Sequence, residues 1–134
     1  MATAREWVEG ARPRTLGAAI APIAVGTGAA ATIGAVQPVR AGLALIVMLA
    51  AQIGANYAND YSDGIRGTDT ERVGPVRLVG QGLAAPAHVR LAALASLLVS
   101  AAAGLILVAL TGQWWLLGVG AVALLAAWLY TGGP

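Results

Sequence analysis

Cysteine is absent from this chain of 134 residues, and charged residues are scarce. The lack of cysteine excludes disulfides and thiolate metal sites. Asp, Glu, Lys and Arg make up 10% of the residues, whereas a typical soluble domain has about 25%. Hydrophobic residues make up 58% of the chain, and the mean hydropathy is +0.75. This composition indicates a membrane protein.

Long uncharged tracts set the predicted helices. Three of them occur, at residues 15–38, 41–59 and 91–134. A bilayer core needs about 20 apolar residues per helix, so the last tract must turn back on itself, and Thr-Gly-Gln at residues 111–113 supplies the turn. We predict an all-α membrane protein, a single domain over residues 1–134, with about four transmembrane helices near residues 15–36, 41–59, 91–110 and 114–131. An acidic polar loop over residues 60–90 joins the second helix to the third.

The basic residues are eight arginines, and their distribution predicts the orientation of the chain. A net charge of +2 and a pI near 9.7 could suggest nucleic acid, but the scattered arginines fit the positive-inside rule better, so we expect no nucleic-acid partner. Seven of the eight precede the first predicted helix or lie at residues 60–90, and Arg40 lies in the turn between the first two predicted helices. Both termini and the acidic loop should therefore face the cytoplasm, with the chain crossing the inner, cytoplasmic membrane several times. A cleaved signal peptide is disfavoured, because the first apolar stretch exceeds about 15 residues.

A polar stripe runs along the end of the second predicted helix. At about 100° per residue, four of its side chains fall within a sector roughly 60° wide: Gln52, Asn56, Asn59 and Asp63. Asp60 lies at the edge of that sector. Amide and ionisable groups at membrane depth are costly and usually line a cavity or bind an ion, so the stripe predicts a functional site. For Gln52, a hydrogen bond to an acceptor molecule and a bond between helices are equally good interpretations.

The predicted loop interleaves carboxylates with arginines. Counted from Asp60, it superficially resembles a calcium-binding EF-hand loop, but that loop needs glycine at its sixth position, where this chain has Ile65. A carboxylate cluster with arginines suits a Mg²⁺–diphosphate complex, because carboxylates hold the metal and arginines bind the outer oxygens. A solvated loop with ordinary ion pairs, such as Asp63–Arg66, is the alternative. It does not explain why the acids continue the amide stripe.

The motif Asn-Asp-Tyr-Ser-Asp at residues 59–63, followed by Gly-Thr-Asp at 67–69, resembles the first aspartate-rich motif of the UbiA superfamily of membrane prenyltransferases. With Arg-Pro-Arg-Thr at residues 12–15 upstream and Tyr-Thr-Gly-Gly-Pro at 130–134 downstream, the chain looks most like the branch that prenylates 1,4-dihydroxy-2-naphthoate in menaquinone biosynthesis. The resemblance implies an all-helical fold in membrane lipid, Mg²⁺, a polyprenyl diphosphate donor and an aromatic acceptor, dihydroxynaphthoate. It also implies transfer of the polyprenyl group with loss of diphosphate and carbon dioxide, giving demethylmenaquinone.

The resemblance further implies roles for individual residues. In the family pattern Asn-x-x-x-Asp-x-x-x-Asp, Asn59 and Asp63 match the first two positions, and Gly67 departs at the third, where Asp69 is expected to substitute. The implied Mg²⁺ ligands are Asn59, Asp60, Asp63 and Asp69, with Asp60 and Asp63 as the catalytic carboxylates. The residues expected to bind substrate are Gln52, Asn56, Asn59, Arg66, Arg72 and Arg77. The arginines are assigned by charge and position alone.

The chain is shorter than the family would require. Family members contain more helices and a second aspartate-rich motif, and residues 91–134 hold no acidic residue at all. The chain thus looks like an N-terminal half, which we expect to be inactive alone and to need the C-terminal half or another copy. The alternative is a non-enzymatic four-helix membrane protein, such as a transporter subunit or assembly factor, with a cation-binding loop. The scarcity of polar residues after residue 91 disfavours a transporter.

Overall fold

The computed structural model describes residues 1–67 and 74–130. Within these residues the chain forms helices and turns and no β-strand, which confirms the all-α fold. The elements in chain order are α1 (Ala4–Gly10), a 3-10 turn (Pro13–Thr15), α2 (Gly17–Thr32), α3 (Pro38–Arg66), α4 (Pro86–Thr111) and α5 (Leu116–Leu129).

Two of the described helices, α3 and α4, are long and apolar enough to cross a membrane. The residues 4–32 provide a third candidate span if the segment before Gly17 and helix α2, which meet at a bend of 50°, are taken together. Helix α5 is apolar but has only 14 residues. This arrangement roughly agrees with the four predicted transmembrane helices.

Helix α3 extends to Arg66, whereas the sequence placed its end near residue 59. Gly67 ends the helix in the left-handed conformation with φ of 69°, which glycine adopts without steric cost, and its N–H returns to the carbonyl of Asp63. Both Asp60 and Asp63 therefore lie on a helix and not in a loop. The prediction ended the helix where charge begins, but charge marks the edge of the bilayer and does not interrupt helical hydrogen bonding.

The hydrophobic core lies around the polar end of α3. Its buried members come from α3, from α4 and from the segment between them: Tyr57, Ala58, Leu78, Val89 and Ala93. Helices α3 and α4 approach closely at Gly54, where an added Cβ would lie 2.7 Å from Leu97 Cδ2 and 3.3 Å from the Ala93 carbonyl oxygen. Small residues permit such backbone approach in membranes, where lipid gives no hydrophobic drive for association.

Helix α1 packs on the same end of α3 and begins with a capping box, in which the Thr3 hydroxyl accepts from Glu6 N–H and the Glu6 carboxylate accepts from Thr3 N–H. The Tyr57 hydroxyl donates to the Trp7 carbonyl at 2.8 Å, and the two rings meet edge to face. By contrast, only Ala19 of α2 is buried, and α5 has no buried residue within the described part of the chain. The hydrophobic core cluster and the buried residues of α3 thus lie at the polar end of that helix.

Candidate functional site

Asp60 is the most buried acidic residue among the described ones. Asp60 is 1% exposed. Both of its carboxylate oxygens accept hydrogen bonds from backbone N–H groups. Oδ2 accepts from Leu78 at 2.7 Å and Oδ1 from Val79 at 3.2 Å. The geometry therefore gives Asp60 a structural contact that was not foreseen in its predicted role as a metal ligand.

Asp63 lies one helical turn further along α3 and has a different environment. Its side chain is 19% exposed, and its Oδ2 lies 3.6 Å from Arg77 Nη1. The Arg77 side chain is itself only 15% exposed, so this ion pair is much less screened by water than a surface pair. The structure thus brings together two of the predicted site residues, one acidic and one basic, from α3 and the segment that follows it.

Asn59 completes this arrangement, because residues four apart on a helix lie on the same face and Asn59 precedes Asp63 by four. Its Oδ1 is buried, and no described residue donates a hydrogen bond to it. An amide oxygen and a carboxylate on one face are the hard oxygen donors that Mg²⁺ prefers. These two residues therefore fit as part of a Mg²⁺ donor set.

The rest of such a donor set is not supplied by the described residues, which contain no group of three or more His, Cys, Asp or Glu placed to hold a metal. Asp69, the predicted substitute for the missing third aspartate, lies outside the described residues, and so does Arg72. Arg66 is exposed at the last turn of α3. Its predicted role in binding substrate remains a prediction.

The amides of the stripe bind the N-terminal segment. Asn56, which is 4% exposed, donates from Nδ2 to the Ala11 carbonyl at 2.8 Å and to Thr15 Oγ1 at 3.0 Å. Gln52 Nε2 makes longer contacts with Thr15 Oγ1 at 3.4 Å and with Asn56 Oδ1 at 3.5 Å. Gln52 thus contacts the 3-10 turn and its own helix, and its predicted role in binding substrate remains a prediction.

The N-terminal segment held in this way lines a cleft, and none of its residues was predicted as a site residue. An open cleft of about 800 Å³ lies between this segment and residues 74–76, and its lining includes Arg12, Arg14 and Thr15. Arg12 has a φ of 56°, a left-handed conformation that is uncommon outside glycine and that often marks functional sites. The sequence signal for this segment is Arg-Pro-Arg-Thr at residues 12–15, which is part of the family resemblance.

Comparison with known proteins gives consistent matches. The UbiA prenyltransferase family matches residues 19–133. The chain is similar to the 1,4-dihydroxy-2-naphthoate octaprenyltransferase of Mycobacterium tuberculosis, with 59% identity over 99% of this chain and 45% of that protein. The proteins of the same name from Mycobacterium leprae and Escherichia coli are 54% and 37% identical, with 45% and 43% of their lengths covered. The chain therefore spans less than half the length of these relatives. No solved structure matches it.

Proposed function

This chain belongs to the UbiA prenyltransferase family, and from that premise we propose that it supplies active-site residues for Mg²⁺-dependent transfer of a polyprenyl group from polyprenyl diphosphate to 1,4-dihydroxy-2-naphthoate. Diphosphate and carbon dioxide are released, and the product leads to demethylmenaquinone. The observation that supports this best is the placement of Asp63, Asn59 and Arg77 together at the polar end of α3. The names of the relatives support the choice of acceptor.

In this proposal, Asn59 and Asp63 hold Mg²⁺, with Asp69 as a further predicted ligand. When bound, Mg²⁺ supplies positive charge that stabilises the departing diphosphate. Arg77, 3.6 Å from Asp63, donates hydrogen bonds to diphosphate oxygens, for which the planar guanidinium is well suited. Arg12 and Arg14, which line the cleft beside residues 74–76, would present further positive charge to the diphosphate.

The bond changes define what the chain must do. The allylic carbon–oxygen bond of the donor breaks, and its electron pair leaves with the diphosphate. The acceptor ring carbon that bears the carboxylate then forms a bond to the prenyl carbon, after which the ring regains its electron pair as carbon dioxide leaves. Because the intermediate prenyl group is electron-poor, water must be excluded from it. The apolar surfaces of α3 and α4 are suited to exclude water and to contact the isoprenoid tail.

We further propose that the active unit contains more helices than this chain provides, either a C-terminal half or another copy. The coverage of 45% of the relatives' length supports this, as does α5, which has no buried residue in the described part of the chain. The unit would lie in the cytoplasmic membrane, with the acidic end of α3 on the cytoplasmic side, as the arginine distribution indicates.

The test is an assay of membrane vesicles that contain the whole protein its gene encodes. Polyprenyl diphosphate, Mg²⁺ and acceptor labelled in its carboxyl carbon should yield a prenylated dihydroxynaphthalene, which air oxidises to the quinone for detection, together with labelled carbon dioxide. Vesicles without the gene, and vesicles treated with a chelator, are the controls. If the vesicles bind diphosphate but form no product, the proposal fails in favour of a non-enzymatic cation-binding membrane protein.

A further inference from the structure

We propose that Asp60 is a positioning residue, whose buried carboxylate clamps the backbone at Leu78 and Val79 onto α3 and thereby places Arg77 beside Asp63. The clamp is a property of the fold. Its consequence for catalysis rests on the proposed prenyl transfer.

The first argument is the cost of burying this carboxylate. An ionised group that is 1% exposed is stable only when it is paired or hydrogen-bonded. Asp60 meets that requirement with two backbone N–H donors, and such charge-assisted bonds are stronger than bonds between neutral groups. The donors at 78 and 79 lie in a turn and not in a helix, so the Asp60 side chain takes the place of a helical or strand partner.

The second argument is the order of the contacts along the chain. Arg77 directly precedes Leu78, so a clamp at Leu78 fixes the point from which the Arg77 side chain starts. Asp63 lies three residues after Asp60 on the same helix, and it meets the Arg77 side chain at 3.6 Å. Helix α3 therefore binds the backbone of residues 78 and 79 through Asp60. It pairs with the Arg77 side chain through Asp63.

The third argument is the contrast between the two carboxylates as possible metal ligands. Mg²⁺ is reluctant to lose its waters and usually keeps several of them, so it needs ligands that face an aqueous cleft. The Asp63 side chain retains 19% of its exposure, whereas Asp60 retains almost none. Asp60 is thus better suited to positioning than to direct contact with a hydrated ion.

A second anchor limits how far the clamp can be loosened. The Leu78 side chain is fully buried and packs beside Gly10 of α1, where an added Cβ would lie 3.0 Å from Leu78 Cδ1. Replacing Asp60 with Asn should therefore loosen the segment without detaching it. The Asn side chain offers one oxygen acceptor and one N–H₂ donor, so one of the two backbone N–H groups loses its acceptor.

Hydrogen–deuterium exchange of the chain in detergent tests the clamp without reference to activity. In the unaltered protein the amides of Leu78 and Val79 should be protected, and Asp60→Asn should accelerate their exchange by about tenfold or more. Asp63→Asn is the matched control and should leave those two amides protected. Rapid exchange at both amides in the unaltered protein, or unchanged exchange in Asp60→Asn, would overturn the proposal.

Kinetics of the whole protein that the gene encodes test the positioning role. Asp60→Asn should raise the KM for polyprenyl diphosphate about tenfold, with a smaller effect on kcat, because binding by a misplaced Arg77 is weakened. In an Arg77→Ala background the same change should add less than about twofold, as expected for residues that act together. Additive effects, or rescue of Asp60→Asn by excess Mg²⁺, would instead make Asp60 a direct ligand. If the unaltered protein is inactive, the proposed function fails, and the exchange data still decide whether the clamp exists.

Discussion

The two halves of helix α3, residues 38–51 and 52–66, differ in their contacts with the rest of the chain. All the buried residues of this helix lie between Gly54 and Ser62, although the helix begins at Pro38. The first half is apolar and makes isolated polar contacts, such as Ser100 Oγ donating to the Val47 carbonyl at 2.9 Å. Lipid can cover an apolar helix face, but it cannot satisfy polar side chains. Wherever polar side chains of the second half lie within the bilayer, protein must therefore cover them, and the N-terminal segment and residues 78–79 bond to this half.

Most of the buried polar groups in that second half serve assembly. Asn56 holds the Ala11 carbonyl, Tyr57 holds the Trp7 carbonyl, and Asp60 holds the amides at 78 and 79. Asn59 and Asp63 lie among these anchors, and their oxygens are the ones that we propose for metal binding. The difference between the halves teaches that a polar stripe in a membrane helix can be a scaffold in most of its positions and a site in only a few.

The largest effect should come from Asp63→Asn, which keeps the shape of the side chain and removes its charge. We expect prenyl transfer by the whole protein to fall by on the order of 100-fold or more, because the variant loses both the proposed metal ligand and the partner of Arg77. The measurement is initial rate in vesicles at saturating Mg²⁺ and substrates.

The matched control for that change is Arg40→Gln in the apolar half, where the exposed Arg40 side chain donates to the Leu110 carbonyl at 3.1 Å. This variant should keep most of the activity, since surface substitutions usually change stability by less than about 0.5 kcal/mol. Near-normal turnover by Asp63→Asn would contradict the assignment of the site. Equal losses in both variants would contradict the distinction between the two halves.

A smaller effect is expected from Asn56→Ala, which removes the bonds from α3 to Ala11 and Thr15. The partly buried acceptors left behind should lower the free energy of unfolding by about 2 kcal/mol. Unfolding in mixed micelles measures this change. The control is Ser96→Ala on α4, because the Ser96 hydroxyl bonds only to the Ala92 carbonyl of its own helix among the contacts described, and its loss should cost less than about 0.5 kcal/mol. Equal costs would show that the N-terminal segment is not anchored by Asn56.

Packing between α3 and α4 should give a still smaller effect. In Gly54→Ala the new Cβ meets Leu97 and the Ala93 carbonyl, and overpacking of this kind costs about 1–3 kcal/mol. Better helix propensity recovers up to about 1 kcal/mol, so we expect a net destabilisation near 1 kcal/mol. Gly42→Ala in the apolar half meets nothing within 4 Å and should be neutral or stabilising. A destabilised Gly42→Ala together with an unaffected Gly54→Ala would reverse the comparison.

The sequence allowed the all-α membrane fold and the register of the stripe to be predicted, because both follow from local periodicity and hydropathy. It misplaced the end of α3 by seven residues, from 59 to 66. The additional helical residues after 59 are stabilised by tertiary contacts, since Asp60 and Ser62 are buried by other segments. No local sequence pattern predicts such burial.

The hydrogen-bond partners of the polar stripe could not be predicted from the sequence either, because they too depend on tertiary contacts. Asn56 lies 45 residues from Ala11, and Asp60 lies 18 residues from Leu78. A single sequence shows which side chains are polar and on which face they lie, but it does not show which distant backbone groups they will bind. The resemblance supplied Asn59 and Asp63 as site residues, whereas the separation of Asp60 from them as an anchor needed the three-dimensional structure.

The smallest perturbation should come from single cysteines introduced at Gln37 and Gln81, which test how the two halves lie across the membrane. Both residues are exposed, and the chain has no other cysteine, so each label reports one position. Such surface changes should alter stability by less than about 0.5 kcal/mol. Because Gln37 precedes α3 and Gln81 follows it, an impermeant maleimide applied to sealed vesicles should reach them from opposite sides. The arginine distribution predicts that Gln81 labels from the cytoplasmic side. Labelling of both from one side would show that α3 does not cross the bilayer, and a reversed pattern would show that the arginine-based orientation is wrong.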